Sequence, residues 1–179
     1  MNIIVSILSG ITSLVFILLI IALFVRKKYG LFREIVIGKP VDEVYNYLKF
    51  LKNQDNFSKW ALMDPIMKKE YQGIDGTVGF VSAWDSKNKN VGKGEQEIKN
   101  LIDGKQIDYE IRFIKPFSGV AQSYLKCETV AENETCIKWG FDSKMKYPMN
   151  LMLLFMNMDK MLGNDLETGL KNLKDILEK

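Results

Sequence analysis

The segment from residue 3 to residue 25 contains no charged side chain, and this constrains the chain more than any other feature. At about 1.5 Å per residue, a helix of this length measures about 34 Å, enough to cross a hydrocarbon core of about 30 Å. The segment also lacks the polar face of a helix at the surface of a soluble domain. We therefore expect residues 3–25 to form a single transmembrane helix.

Two other interpretations of this segment are disfavoured. A cleaved signal peptide has a basic start, a shorter apolar run and a small-residue cleavage site, but the chain starts with Met1-Asn2 and has no Ala-x-Ala pattern before Arg26. An interfacial helix would need a charged face. Arg26, Lys27 and Lys28 follow the apolar run directly, and basic residues tend to stay on the cytoplasmic side. We therefore expect a single-pass membrane protein whose soluble part is cytoplasmic.

Composition limits what the remaining part of the chain can do. Its length of about 150 residues suits one globular domain. The 25 Lys and Arg residues nearly balance 22 Asp and Glu, so there is no concentrated basic surface and we expect no nucleic-acid partner. The chain has no histidine, which excludes the serine–histidine and cysteine–histidine catalytic arrangements and histidine metal sites. We expect no metal and no cofactor.

Periodicity predicts an α+β domain over residues 32–179, joined to the anchor and its basic stop (residues 1–28) by a linker at 29–31. Apolar and polar residues alternate between 106 and 114, which predicts an antiparallel strand with one solvated face. Similar runs give five or six strands in all. From about residue 150 to residue 179 leucines recur at helical spacing, which predicts one continuous helix of about 30 residues across the concave face of the sheet.

The last two strands are predicted to form a hairpin around a three-residue loop at 132–134. This register pairs Cys127 with Trp139 and Leu125 with Phe141, and it places the apolar residues on one face. Cys136 then points away from Cys127, so we expect no disulfide, in agreement with a reducing compartment.

Short motifs along the chain resemble the SRPBCC superfamily, which contains START-like and polyketide cyclase/dehydrase-type domains. The resemblance runs from about residue 32 to the C-terminus and looks closest to bacterial members with one N-terminal membrane span. The motifs are Pro40-x-x-x-Val44, Trp60, Asp64-Pro65-x-Met67-Lys68, Gly73-x-x-Gly76-x-Val78-Gly79, Trp84, Val91-Gly92-x-Gly94, Lys115-Pro116-Phe117, Trp139 and Met158-Asp159-x-x-Leu162-Gly163.

The resemblance implies a helix-grip (START/Bet v 1-like) fold, in which an antiparallel sheet wraps around a long C-terminal helix and leaves a deep apolar cavity. It also implies a bacterial inner-membrane location. Relatives bind lipids, sterols or polyketides, and a few catalyse cyclisation or dehydration, but no catalytic motif carries over to this chain. Strand parity and the last helix predict the cavity residues, which are Phe80, Ser82, Trp84, Gln96, Tyr109, Ile111, Phe113, Leu125, Trp139, Phe141, Met152, Phe155 and Met156.

The favoured function is a membrane-tethered module that binds a hydrophobic small molecule, either a lipid or an isoprenoid- or polyketide-like compound. One alternative is a cyclase or dehydrase with Tyr109 or a carboxylate as the proton donor. The missing histidine and the outward parity of the acidic residues count against this enzyme. A ligand-free stress or interaction domain is the other alternative. The sequence leaves the ligand and the oligomeric state open.

Overall fold

The computed structural model describes residues 3–179, so Met1 and Asn2 of the predicted anchor lie outside the described residues. The apolar segment forms helix α1, Ile3–Phe24. Among the residues of α1, all of which the structure describes, only Ala22 is buried. By length and composition α1 is sufficient to cross a membrane.

The rest of the chain is built on one seven-stranded antiparallel sheet in the order β1-β7-β6-β5-β4-β3-β2. This arrangement follows from short connections between strands that are neighbours along the chain, with β1 added beside the last strand. The strands are β1 (Lys28–Ile37), β2 (Lys68–Gln72), β3 (Val81–Asp85), β4 (Lys93–Ile102), β5 (Gln106–Lys115), β6 (Gly119–Ala131) and β7 (Glu134–Lys144).

Helices cover the concave face of the sheet and enclose the core. They are α2 (Val41–Leu48), α3 (Gln54–Phe57), α4 (Lys59–Met63) and α5 (Met158–Leu177), with 3-10 turns at Leu51–Asn53 and Met149–Leu154. Helix α5 crosses β1 and contacts α3, α4 and β7. Its leucines Leu166, Leu170 and Leu173 are buried in the main core with Ile37 and Trp139.

The predicted linker at residues 29–31 is part of β1. Tyr29 pairs with Ser143 and Leu31 pairs with Phe141, so the ladder continues to within a few residues of α1. Gly30 serves close packing here, because a Cβ at this position would collide with the carboxylate of Asp142. The domain is therefore joined to α1 without a flexible spacer of its own.

The predicted register of the β6–β7 hairpin is wrong by two residues. The turn contains two residues, 132–133, and an irregularity between Thr129 and Ala131 absorbs the difference. Cys127 pairs with Ile137 and Leu125 pairs with Trp139. A slip of two residues keeps each side chain on its face. Both cysteines lie in the described part of the chain, and both are free thiols.

The predicted C-terminal helix is interrupted before Met158. The side chain of Asn157 accepts a hydrogen bond from the backbone N–H of Lys160 at 2.9 Å and so caps the start of α5. The residues before it form the 3-10 turn, where Asn150 Nδ2 donates to the carbonyl oxygens of Ala22 at 2.7 Å and Val25 at 3.0 Å. Carbonyl groups at a helix end need such donors, so this segment is held on the end of α1.

Candidate functional site

A cavity of about 390 Å³ lies between the concave face of the sheet and helices α3, α4 and α5. Helix α5 packs on the β1 side of the sheet, and side chains from the sheet and from the helices line the space. Seven residues predicted from strand parity are in its wall, although their role in binding stays a prediction. They are Ser82, Trp84, Gln96, Ile111, Phe113, Trp139 and Phe141.

Three other predicted residues, Phe80, Tyr109 and Leu125, belong to the solid core beside the cavity. Their exposed fractions are 1%, 0% and 0%, and none of the three is in the cavity wall. Strand parity gives the face of a sheet on which a residue lies. It does not distinguish positions covered directly by helices α2 and α3 from positions that border open space.

The predicted residues Met152, Phe155 and Met156 lie away from the cavity. They precede α5 and follow the segment that is held on the end of α1, and Phe155 has 83% of its surface exposed. The helical wall is formed instead by α3, α4 and the first turns of α5, with Gln54, Trp60 and Leu162. Trp60 and Leu162 were marked by motifs in the sequence, whereas Gln54 was not.

The indole N–H of Trp139 is satisfied inside the wall. Trp139 Nε1 donates to Ser123 Oγ at 3.2 Å, and Ser123 Oγ donates to the carbonyl oxygen of Gly140 at 2.8 Å. A buried tryptophan needs such a partner for its polar end. Because this need is met within the sheet, Trp139 presents an apolar surface to the cavity.

Gln54 is the polar group of the wall with an unused donor. Its side chain is 7% exposed, and Nε2 has no hydrogen-bond partner among residues 3–179. The neighbouring Tyr109 hydroxyl is also buried and unpartnered within the described residues. Burial raises the pKa of Tyr109 far above its ordinary value, and the nearby Gln54 amide offsets only part of this effect. Tyr109 therefore stays protonated and is poorly suited to acid–base exchange.

Two charged residues of the wall, Asp55 and Lys69, form an ion pair near the edge strand β2. Asp55 binds Lys69, and it accepts a hydrogen bond from the hydroxyl of Tyr71 at 3.1 Å. Burial, followed by the charge of Asp55, raises the pKa of Tyr71 to about 12. Since Asp55 is neutralised by Lys69, this side of the cavity carries little net charge.

The acidic residues of β4 and β5 lie on the outer face, as strand parity predicts. Arg112 binds Glu95 at 2.6 Å, Glu97 at 2.7 Å and Glu110 at 2.6 Å. Hydrogen bonds from Lys99 and then Arg112 lower the pKa of Glu97, and hydrogen bonding to Arg112 lowers the pKa of Glu110. These carboxylates form a surface ion-pair network and do not reach the cavity. Over residues 3–179 there is no acid, histidine or cysteine cluster suited to a metal ion.

Solved structures with the same architecture come from several organisms. Norcoclaurine synthase from Thalictrum flavum aligns with a TM-score of 0.62 and 9% identity over 85% of this chain and 87% of that chain. The Aha1 dimer from Colwellia psychrerythraea aligns with a TM-score of 0.58 and 16% identity, over 84% and 96%. Ara h 8.0201 aligns with a TM-score of 0.56 and 13% identity, over 84% and 97%. This chain has the helix-grip fold.

The predicted fold class is thus confirmed. No family model matches the chain, and no curated protein is significantly similar in sequence. At such low identities the shared architecture carries no residue roles. One norcoclaurine synthase structure contains dopamine and hydroxybenzaldehyde, which describes the ligands of that protein alone.

Proposed function

We propose that this protein is a membrane-tethered helix-grip domain that binds a hydrophobic small molecule, either a lipid or an isoprenoid- or polyketide-like compound. The observation that carries the proposal is the apolar cavity of about 390 Å³. This volume falls within the range of about 300–1,000 Å³ for small-molecule sites, which are mostly apolar with a few placed polar groups. The aromatic wall formed by Trp60, Trp84 and Trp139 fits this description.

Burial of apolar surface supplies the affinity in this proposal, at roughly 25 cal/mol per Å². Ser82 and Gln96 supply direction, because they are polar residues of the cavity wall. The preferred ligand therefore has an apolar body and a small polar group.

The tether in this proposal is α1, inserted as a single span. Arg26, Lys27 and Lys28 follow it and favour a cytoplasmic position for the domain. By resemblance the membrane is a bacterial inner membrane. In this proposal the anchor comprises residues 1–28, residues 29–31 join it to the domain, and the binding domain comprises residues 32–179.

The cyclase or dehydrase alternative has less support from the cavity. Among the described residues, Asp55 is the one carboxylate in the wall, and its charge is held by Lys69 and Tyr71. Tyr109, the other proposed proton donor, lies outside the wall. No observation of the geometry favours catalysis over binding.

Tryptophan quenching tests the proposal directly, because all three tryptophans of the chain line the cavity. The full chain in detergent micelles is titrated with a fatty acid brominated along its chain, and bromine quenches nearby indoles. Ser82→Phe fills the cavity from β3, whereas Ala83→Phe places the same side chain on the opposite face of that strand. Saturable quenching in the wild type and Ala83→Phe, and its loss in Ser82→Phe, is expected. Equal quenching in all three proteins would contradict a cavity site.

A further inference from the structure

The strand-connecting loops that border the cavity lie at the end of the sheet that adjoins α1. Strand pairing places a set of strand ends together in one row across the sheet, which we call the anchor end. Its members are the start of β1, the end of β7, the start of β6, the end of β5, the start of β4, the end of β3 and the start of β2. Helix α1 ends immediately before β1, so the anchor end is the part of the domain next to the span.

Loops at the anchor end form the outer part of the cavity. The β3–β4 loop contributes Val91, the β5–β6 loop contributes Pro116 and Phe117, and the residue before β2 is Met67. The loops at the opposite end of the sheet contribute none of the residues of this cavity within the described chain. The loop-bordered side of the cavity therefore lies at the anchor end.

Exposed apolar side chains project from the same loops. Ile66, which precedes β2, is 93% exposed, Phe117 is 67% exposed, and Phe155, near the end of α1, is 83% exposed. Phe117 also borders the cavity, so its ring is shared between the mouth and the surrounding solvent. Large apolar groups exposed at one end of a domain are typical of a binding surface.

Charge distinguishes the anchor end from the opposite end, which also carries exposed apolar residues. The anchor-end loops at 64–67, 86–92, 116–118 and 145–157 contain a single acidic residue, Asp64, and the adjoining positions include Lys87, Lys89, Lys115 and Lys146. These lysines are exposed. Basic residues close to a membrane span are attracted to anionic lipid.

The loops at the opposite end have a different charge. Asp75, Asp103 and Glu132 lie in these loops, together with Lys39 and Lys105. The loops beside α1 are therefore more basic than the loops at the opposite end. This orientation suits a negatively charged leaflet on the α1 side.

The end of α1 is attached to the domain in a defined way. Asn150 donates to two carbonyl groups of the last turn, and Tyr147 donates from its hydroxyl to the carbonyl oxygen of Leu19 at 3.3 Å. If α1 spans the bilayer, the headgroup layer begins near Arg26, and this layer is about 5–8 Å thick on each side. Because Tyr147 reaches Leu19, the segment around Tyr147 and Asn150 then lies against the last two turns of α1, at the boundary between the hydrocarbon and the headgroups.

We propose that the anchor end docks on the anionic leaflet surface, with Ile66, Phe117 and Phe155 inserted among the headgroups, so that the cavity exchanges its ligand with that leaflet. This inference rests on the proposed tether and deepens the proposed function, because it makes a membrane lipid the ligand class. The partner that binds the anchor end is the lipid bilayer itself. The basic loops bind headgroup phosphates, and the aromatic and aliphatic side chains bury their apolar surface.

Spin labels on the full chain in liposomes test this proposal. Cys127→Ala and Cys136→Ser first remove the native thiols, and single cysteines then replace Phe117 at the anchor end or Ile74, which is 75% exposed at the opposite end. Leu14→Cys reports on α1 itself. Collision rates with oxygen, which concentrates in lipid, and with a polar nickel complex give the depth of each label in phosphatidylcholine liposomes with and without phosphatidylglycerol.

If the anchor end docks on the membrane, the label at position 117 should collide more often with oxygen, and the label at position 74 more often with the nickel complex. The label at position 117 should also lie deeper when phosphatidylglycerol is present. If the labels at positions 117 and 74 have the same collision rates while the label at position 14 is in lipid, docking is overturned and the tether stands. If the Leu14 label is itself exposed to nickel, the proposed tether fails. Phe155→Cys gives an independent reading of the same surface, and a water-exposed label there would also count against docking.

Discussion

Replacing Tyr109 by phenylalanine should stabilise the protein. The hydroxyl is fully buried and has no partner among residues 3–179, and burying a hydroxyl without a hydrogen bond costs about 1–3 kcal/mol in proteins. Removing one oxygen leaves a small void, which costs a few tenths of a kcal/mol at about 24 cal/mol per Å³. The free energy of unfolding should therefore rise by about 1–2 kcal/mol.

Urea unfolding of the full chain in micelles measures this change, with tryptophan fluorescence as the signal. For an m-value of about 2 kcal/mol/M, the midpoint should rise by about 0.5–1 M without a change in slope. Tyr71→Phe is the matched control, since its hydroxyl donates to Asp55 at 3.1 Å. Loss of that hydrogen bond should lower the midpoint, by less than the Tyr109 effect because Tyr71 is 42% exposed.

A lower midpoint for Tyr109→Phe would refute the reasoning. It would show that the hydroxyl is hydrogen-bonded in the folded protein, for example to a buried water, since such waters satisfy polar groups in cores. Gln54→Leu separates the two cases. If both groups are unpartnered, each substitution alone raises the midpoint, whereas a shared water would make both single variants less stable.

Three further predictions concern other parts of the molecule. Burial raises the pKa of Cys127 to about 12, so at pH 8 its thiol should react with a disulfide reagent at least about tenfold more slowly than the half-buried Cys136, measured on single-cysteine variants. A hydrogen bond from Arg33 lowers the pKa of Asp159. Their pairing therefore stabilises the fold above the ordinary carboxyl pKa, and this stabilisation is lost as the pH falls through the lowered pKa. In Arg33→Gln the pKa of Asp159, measured by NMR, should return to its ordinary range. Asn150→Ala removes two hydrogen bonds to α1, so amide exchange in residues 149–156 should become faster, and unchanged exchange would mean that these bonds do not hold the segment.

The helix-grip arrangement was implied by the resemblance to the SRPBCC superfamily. Alternation along the strands predicted the antiparallel sheet and the faces on which its residues lie. It did not fix the register of the last hairpin, because a shift of two residues preserves every face. That shift places Ser123 opposite Phe141 and leaves it able to bind the Trp139 indole. The turn length that decides the register depends on local backbone geometry, which Glu132-Asn133 does not reveal in the sequence.

The C-terminal side of the candidate site was predicted less well. The leucine pattern continues through residues 150–157, so periodicity alone joins this segment to α5. In the structure the segment binds the end of α1, a contact between parts of the chain more than 120 residues apart. Gln54 was also missed, because a single polar residue in a short helix carries no pattern, and its significance comes only from burial and the absence of a partner within the described residues.

Native mass spectrometry of the full chain, released from detergent micelles, tests the central claim that the cavity holds a hydrophobic molecule. The wild type is compared with Ser82→Phe, which fills the cavity, and with Ala83→Phe, which adds the same volume on the outer face. We predict one discrete bound mass on the wild type and on Ala83→Phe, extractable into organic solvent, and its loss from Ser82→Phe. A bound mass that is the same on all three proteins, or absent from the wild type even after incubation with a lipid extract, would contradict the account.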